Sequence, residues 1–198
     1  MNHSTMPRFL SPLAALLLVA CGQSAPAEPP PLAGAAIGAP FTLTGEDGKP
    51  VRWDDFAGRY RVVYFGYTFC PDVCPTDLQR TAQGLRLFDK ARPELARDVV
   101  VLFVTVDPQR DTPAVLREFT DAFDPRIVGL TGTPDQIAKV AGDFAVASGR
   151  GETSSAGGYL VDHSNVTYLF DRAGKPLATL PTEQGPQAVA AELEKWVR

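Results

Sequence analysis

The chain has 198 residues, of which 44% are hydrophobic and 21% are charged, and its formal net charge is −4. This composition is ordinary for a globular protein and supplies enough apolar side chains for one well-buried domain. Lysine and arginine are scattered among the acidic residues and form no basic stripe. Because phosphate contacts need clustered cations, the composition argues against a nucleic acid partner.

The N-terminus has the pattern of an export signal. Residues 1–8 carry one cation and no acid, and residues 9–19 form an apolar run that is too short to span a bilayer. Residues 1–20 are therefore predicted to be a signal peptide. The run ends in Leu18-Val19-Ala20-Cys21, which resembles a bacterial lipobox, in which the cysteine is lipidated and becomes the first mature residue. An ordinary signal peptide followed by a chance cysteine is the alternative.

Cleavage before Cys21 would define three parts of the chain. Residues 1–20 are the signal, residues 21–37 are the lipidated cysteine and a flexible tether rich in proline and alanine, and residues 38–198 are the folded domain. A lipid on Cys21 would hold the protein on a membrane of the bacterial envelope, with the domain in the periplasm. The mature chain would keep no methionine, one histidine and three cysteines.

The domain begins with a predicted β-hairpin and continues as alternating strands and helices. The hairpin is indicated by residues 41–43 and 51–53, which flank a turn-rich loop. Continuous apolar runs of the kind buried in parallel sheets then alternate with helical segments, two of which begin at Thr-Pro pairs. We predict strands at 61–66, 99–106, 127–130, 144–148, 166–171 and 176–180, helices at 75–91, 112–123, 133–145 and 186–197, and a flexible loop at 149–158. The order is that of a mixed α/β sheet.

Two cysteines stand where a strand passes into a helix. The apolar strand over residues 62–65 leads into a loop with Cys70, and Cys74 lies where Pro75 begins the helical pattern. A spacing of four residues is about one helical turn, so both sulfurs can face one point. There they can form a disulfide or hold one ion, and the helix N-terminus favours the thiolate form that either reaction needs.

Three separated motifs resemble the SCO/SenC family. They are Cys70-Pro71-Asp72-Val73-Cys74-Pro75, the run from Thr105 to Pro113, and Val161-Asp162-His163-Ser164, and the resemblance covers nearly the whole domain. It implies a thioredoxin-like α/β fold, with a mixed central sheet flanked by helices and an N-terminal β-hairpin extension. It also implies a membrane-tethered protein that binds copper and helps to assemble the dinuclear copper centre, CuA, of cytochrome c oxidase.

Carried over residue by residue, the resemblance makes Cys70, Cys74 and His163 the copper ligands. Two thiolates and an imidazole suit copper, and the thiolates are soft enough for Cu(I). Structural zinc usually takes four protein ligands, whereas this set has three. Taken alone, His163 in a polar loop reads more simply as a surface residue, so its role as a ligand depends on the resemblance.

The resemblance also implies partners. They are the copper-bearing subunit of the oxidase and either another periplasmic copper chaperone or a thiol reductase. Near the site, Asp162 is a candidate hydrogen-bond partner for His163, while Asp107 and Asp111 read most simply as a turn and a helix start. Two aromatic residues, Tyr67 and Phe69, are candidates to line the site or to meet a partner.

Two enzymatic alternatives use the same cysteines. A thiol-disulfide oxidoreductase would use Cys70 as the nucleophile and Cys74 as the resolving thiol, and would reduce the cysteines of the copper-site target. The usual redox spacing has two intervening residues and this chain has three, so a metallochaperone rather than an enzyme is favoured. A peroxide-reducing enzyme with one activated cysteine is a third and weaker hypothesis.

Overall fold

The structure is a computed structural model that describes Met1, residues 28–153 and residues 158–198. The predicted signal peptide over residues 1–20 and the predicted lipidation site Cys21 lie outside the described residues. The described strands are β1 (Thr42–Gly45), β2 (Pro50–Arg52), β3 (Tyr60–Gly66), β4 (Val99–Thr105), β5 (Ile127–Thr131), β6 (Ser148–Thr153), β7 (Tyr159–His163), β8 (Thr167–Phe170) and β9 (Pro176–Thr179). The described helices are α1 (Val73–Ala91), α2 (Pro93–Ala96), α3 (Pro113–Asp121), α4 (Pro134–Asp143) and α5 (Pro186–Trp196), and short 3-10 turns lie at Trp53–Phe56 and Thr182–Gln184.

Seven strands form one mixed sheet in the order β2-β1-β5-β4-β3-β8-β9. The neighbours β3, β4 and β5 are parallel, whereas β8 pairs antiparallel with β3 and β9 pairs antiparallel with β8. The hairpin of β1 and β2 extends the sheet beyond β5 through an antiparallel pairing. This arrangement confirms the predicted mixed α/β sheet and its N-terminal hairpin.

The two central strands are buried on both faces, which explains their uninterrupted apolar sequences. Every residue of β3 and of β4 is buried. Because successive side chains of a strand point to opposite faces, Tyr64 joins a core that includes side chains of α1 and α5, and Phe65 joins the other core, beside α4. Helices therefore cover both faces of the sheet, as the α/β prediction requires.

Two predicted helix starts, at Thr112 and Thr133, are confirmed by their caps. The Thr133 hydroxyl accepts a hydrogen bond from the Gln136 amide at 3.2 Å, and the Gln136 side chain accepts one from the Thr133 amide at 2.8 Å. Thr112 caps α3 through a single bond, by accepting from the Val115 amide at 3.4 Å. These bonds satisfy amide groups that have no partner within the helix.

The predicted strand at 144–148 is wrong. Phe144 is fully buried and caps the C-terminus of α4, and Ala145 follows with a φ of 55°. Phe144 and Val146 are buried from a helix end and the turn after it, where burial does not require a strand. The backbone instead becomes extended from Ser148 onwards.

The segment predicted as a flexible loop supplies a strand. Here β6 pairs antiparallel with β7 to form a two-stranded sheet that is separate from the main one. We call β6 and β7 together the arm. Residues 154–157, which connect its two strands, lie outside the described residues. His163 is the last residue of the arm, so it belongs to a strand and not to a loop.

The described part of the predicted tether contacts the domain. The Leu32 amide donates to the Leu177 carbonyl at 3.0 Å, and the side chains of Leu32 and Ile37 pack against the core. Across the part of the chain that the structure describes, no helix is long and apolar enough to cross a membrane.

Candidate metal centre

The site forms where β3 ends and α1 begins. The chain leaves β3 at Gly66, passes through the loop with Cys70, and enters α1 at Val73, so that Cys74 lies in the first helical turn. The arm brings His163 to the same place. The ligand atoms of Cys70, Cys74 and His163 all lie within 4.8 Å of one another. The structure therefore brings the three predicted ligands together, although His163 is 89 residues from Cys74 in sequence.

The two cysteines are free thiols with different surroundings. Cys70 is half-buried and Cys74 is fully buried. Burial opposes ionisation of Cys70, but hydrogen bonds from the backbone amides of Asp72, Cys74 and Val73 at the start of α1 outweigh it and lower the pKa of its thiol. Burial raises the pKa of the Cys74 thiol, and the nearby Cys70 reinforces that rise. The accessible sulfur is therefore the more easily ionised one.

His163 presents one ring nitrogen to the thiols. Its Nε2 lies 3.2 Å from Cys74 Sγ, and its Nδ1 lies 3.1 Å from the Ser164 carbonyl oxygen. Because a carbonyl can only accept, this contact favours the tautomer that carries its proton on Nδ1 and leaves the Nε2 lone pair free for a metal. The hydrogen-bond partner of Nδ1 is thus the backbone carbonyl of Ser164 and not the predicted Asp162, which is exposed.

Aromatic side chains surround the imidazole. The rings of Tyr64 and Tyr67 lie edge-on to the His163 ring at centroid distances of 6.3 and 6.0 Å. Tyr67 is buried, as expected for a residue that lines the site, whereas Phe69 is 52% exposed beside Cys70. The Tyr64 hydroxyl lies 3.4 Å from a carboxylate oxygen of Asp77, a buried acid on α1 that the sequence analysis did not single out.

A buried polar network beside the site was also missed from the sequence. Asp111 is fully buried and accepts hydrogen bonds from the Thr68 amide at 3.1 Å, the Thr68 hydroxyl at 2.7 Å and the Thr105 hydroxyl at 2.6 Å. Asp107 is buried too, and it accepts hydrogen bonds from Arg110 and from the Tyr159 hydroxyl. Two signals were available: both residues lie in the family motif from Thr105 to Pro113, and they follow a buried strand directly, where open sheets place their sites.

The fold and the three clustered side chains define a class, that of thioredoxin-like proteins with a Cys-Cys-His group able to hold a soft metal ion. A family model described as SCO1/SenC matches residues 30–198. The chain belongs to this family.

Curated relatives come from bacteria and from mitochondria. Protein SenC of Rhodobacter capsulatus is 44% identical over 142 residues, which cover 70% of this chain and 61% of SenC. Protein SCO1 homolog 1, mitochondrial, of Arabidopsis thaliana is 41% identical over 143 residues, which cover 72% of this chain and 42% of the plant protein. The chain thus matches less than two thirds of the length of either relative.

Solved structures share the fold. Bradyrhizobium japonicum ScoI with copper bound is 38% identical, with a TM-score of 0.73, and the match covers 81% of this chain and 99% of that one. A SCO1/SenC family lipoprotein from Bacillus anthracis is 26% identical, with a TM-score of 0.62, and the match covers 82% and 95% of the two chains. These neighbours bear out the predicted thioredoxin-like fold.

Proposed function

We propose that this protein is a copper metallochaperone that assists assembly of the CuA centre of cytochrome c oxidase. The observation that carries the proposal is the convergence of Cys70, Cys74 and His163, whose ligand atoms lie within 4.8 Å of one another. Membership of the SCO1/SenC family and the likeness to a copper-bound ScoI support copper as the ion. Two sulfurs and one imidazole nitrogen also match the ligand preferences of copper.

The number of ligands suits delivery rather than storage. Three side chains leave a coordination position that a ligand of the acceptor can enter before the carrier's own ligands leave. Cys74 and His163 are held within the fold, whereas Cys70 is half-exposed on the loop. Cys70 is therefore the ligand that an acceptor would displace first.

The exposed side chains beside the thiols would contact the acceptor. Phe69, which precedes Cys70, is 52% exposed, and Val73, which precedes Cys74, is 38% exposed. Both lie beside the half-exposed thiol, so a partner that takes the metal from Cys70 would touch them. The occupant that fits the proposal is the copper-bearing subunit of the oxidase, since it must approach the copper at this rim.

Copper transfer to a purified, copper-free CuA domain tests the proposal. The copper-loaded protein should transfer its ion, whereas Cys70→Ser, Cys74→Ser and His163→Ala should each load or deliver far less. Phe69→Ser should load normally but transfer severalfold more slowly. Leu87→Ser is the matched control, because Leu87 is exposed like Phe69 but lies on α1, away from the cysteines. Transfer that survives all three ligand substitutions would refute the proposal.

We further propose that the protein is a lipoprotein anchored through Cys21, with its domain in the periplasm. The lipobox-like sequence before Cys21 supports the anchor, and a SCO1/SenC family lipoprotein among the structural neighbours is consistent with an envelope location. Cys21→Ser should then abolish the incorporation of labelled fatty acid into the protein. Fatty-acid labelling that survives in Cys21→Ser would contradict lipidation at this residue. In this location another periplasmic copper chaperone could load the protein and a thiol reductase could keep its cysteines reduced.

A thiol-disulfide oxidoreductase is the second candidate, and the unequal exposure of the two cysteines favours it. The accessible Cys70 would attack a target disulfide to form a mixed disulfide, and Cys74 would then attack Cys70 and release the reduced target. The pair ends as a disulfide, so an external thiol reductase must restore it. Repeated reduction of a protein disulfide by the metal-free protein, unchanged in His163→Ala, would favour this function over metal delivery.

A further inference from the structure

The arm that carries His163 is not part of the main sheet. Its strands pair with each other and not with the seven-stranded sheet. A cavity of about 230 Å³ separates part of the arm from the body, with Gln109 and Ile137 on one wall and Arg150 and Tyr159 on the other. Val161 of β7 is buried in the core, but packing is interrupted at the cavity, so direct polar contacts help to fix the start of β7.

Tyr159, the first residue of β7, makes the polar contacts beside this cavity, while the Val161 backbone farther along β7 hydrogen-bonds to Tyr67. The Tyr159 hydroxyl donates to Asp107 Oδ1 at 2.8 Å, and the Tyr159 carbonyl oxygen accepts from Arg110 Nη1 at 3.1 Å. The guanidinium carbon of Arg110 also lies 3.7 Å from the centroid of the Tyr159 ring, within the range of a cation–π interaction. Asp107 is buried and accepts from Arg110 through its other carboxylate oxygen, so both of its oxygens are used.

The same short segment holds the cysteine loop. Asp111 accepts from both the amide and the hydroxyl of Thr68, two residues before Cys70. Asp107 and Asp111 are joined directly, because the Asp111 amide donates to the Asp107 carbonyl at 3.0 Å. Thr105 joins them again, since its hydroxyl donates to Asp111 and accepts from the Asp107 amide. We call residues 107–111 the bracket.

We propose that the bracket positions His163 against the thiols, with Tyr159 as the positioning residue on the arm. The bracket is hydrogen-bonded to the cysteine loop through Asp111 and to the arm through Asp107 and Arg110. It therefore sets the separation between the two segments that carry the ligands. This inference rests on the proposed metal site and adds residues that touch no metal. Loss of the Tyr159 hydroxyl would loosen the start of β7, although the carbonyl and ring contacts with Arg110 remain, and His163 at the end of the strand would be held less firmly while Cys70 and Cys74 stayed in place.

Loss of the Tyr159 hydroxyl would weaken the binding of Cu(I) and of Cu(II) to different extents. Cu(I) is soft and is held well by two thiolates, whereas Cu(II) depends more on the imidazole. Tyr159→Phe should therefore weaken Cu(II) binding by about tenfold, the lower end of what residues supporting a metal ligand contribute, with a smaller effect on Cu(I). A general loss of stability would not change the ratio of the two affinities in this way.

The test uses the full chain with Cys21→Ser, so that Cys70 and Cys74 are the only thiols. Amide hydrogen exchange across residues 148–153 and 159–163 of the metal-free protein is compared between the parent, Tyr159→Phe and Asp107→Asn. Cu(I) and Cu(II) affinities and the thiolate-to-Cu(II) absorption band are then measured. Tyr168→Phe is the matched control, because Tyr168 lies in the core on the other face of the sheet from Cys74.

We expect faster exchange in the arm and a lower ratio of Cu(II) to Cu(I) affinity in Tyr159→Phe. Neither change should occur in Tyr168→Phe. Asp107→Asn keeps an acceptor for the tyrosine but loses its charge, and it should show a smaller change of the same kind. Unchanged exchange in both variants would overturn the inference, as would faster exchange with an unchanged ratio. If the parent binds no copper, the proposed function fails, and exchange in the metal-free arm still decides whether the bracket holds the arm.

Discussion

The space around the buried Cys74 thiol leaves no room for a side chain at Gly66. Gly66 ends β3 beside the site, and a Cβ added there would lie 2.8 Å from Tyr64 Cε1 and 3.1 Å from Cys74 Sγ. Contacts this short require the neighbours to move. The glycine at this position thus allows Tyr64 and Cys74 to pack directly against the end of the strand.

Gly66→Ala should destabilise the protein by about 1–3 kcal/mol, the usual cost of overpacking a filled core, and it should weaken copper binding. Urea unfolding and copper competition measure the two effects. Gly142→Ala is the matched control, because a Cβ there has no neighbour within 4 Å and alanine favours the helix α4. Equal stabilities of the two variants would contradict this account of Gly66.

The ligands differ in how far sequence alone predicts them. Cys70 and Cys74 are one turn apart at a helix start, so local spacing is enough to predict that their sulfurs converge. His163 lies 89 residues beyond Cys74, and a polar segment around a lone histidine carries no signal of its own. It was predicted through the family motif. Tyr159 and Asp107 are 52 residues apart and were not paired in advance, because neither position has a local pattern that depends on the other.

Among the elements, those with local signals were predicted well. Thr112 and Thr133 each precede a proline, and both cap helices because the cap and the helix start are encoded within four residues. The arm was missed because β6 is Ser-Gly-Arg-Gly-Glu-Thr, which has neither apolar alternation nor β-branched enrichment. Its extended form comes from pairing with β7, which a single segment cannot reveal.

A group of ion pairs that includes the buried Asp124 links α1 to the start of β5. Asp124 is buried and accepts hydrogen bonds from the Arg126 side chain at 2.8 and 3.0 Å, and Arg126 also pairs with Asp89 on α1 at 3.2 Å. Burial alone would raise the pKa of Asp124. The hydrogen bonds and charge of Arg126, together with the charge of Arg86, outweigh burial and lower the pKa.

The lowered pKa of Asp124 predicts a loss of stability in acid. The folded state holds this carboxylate ionised below the pKa of about 3.9 that it has when unfolded, so its stabilisation is present above that pH and disappears as the pH falls through the folded value. Urea unfolding between pH 6 and pH 2.5 should show a shallower acid loss in Asp124→Asn than in the parent. Asp121→Asn, at an exposed carboxylate nearby, should behave like the parent. Parallel curves for all three proteins would contradict the prediction.

At the scale of the whole molecule, three segments meet at the carboxyl ends of the parallel strands. The cysteine loop follows β3, the bracket follows β4, and the arm returns beside them before β8. Parallel neighbours end at the same edge of a sheet, which explains why loops far apart in sequence meet at the site. The sequence predicted the parallel strands and the cysteine loop, whereas the meeting of bracket and arm depends on long-range side-chain contacts.

The central claim is that Cys70, Cys74 and His163 bind one copper ion, and a competition titration tests it most directly. The reduced Cys21→Ser protein is titrated with Cu(I) and with Cu(II) against a chelator of known affinity, in parallel with Cys70→Ser, Cys74→Ser and His163→Ala. We expect one tightly bound equivalent, loss of tight Cu(I) binding without either cysteine, and a fall in Cu(II) affinity of more than about tenfold without the histidine. Weak binding that is indifferent to His163 would contradict the claim and would leave thiol-disulfide exchange as the function of the cysteine pair.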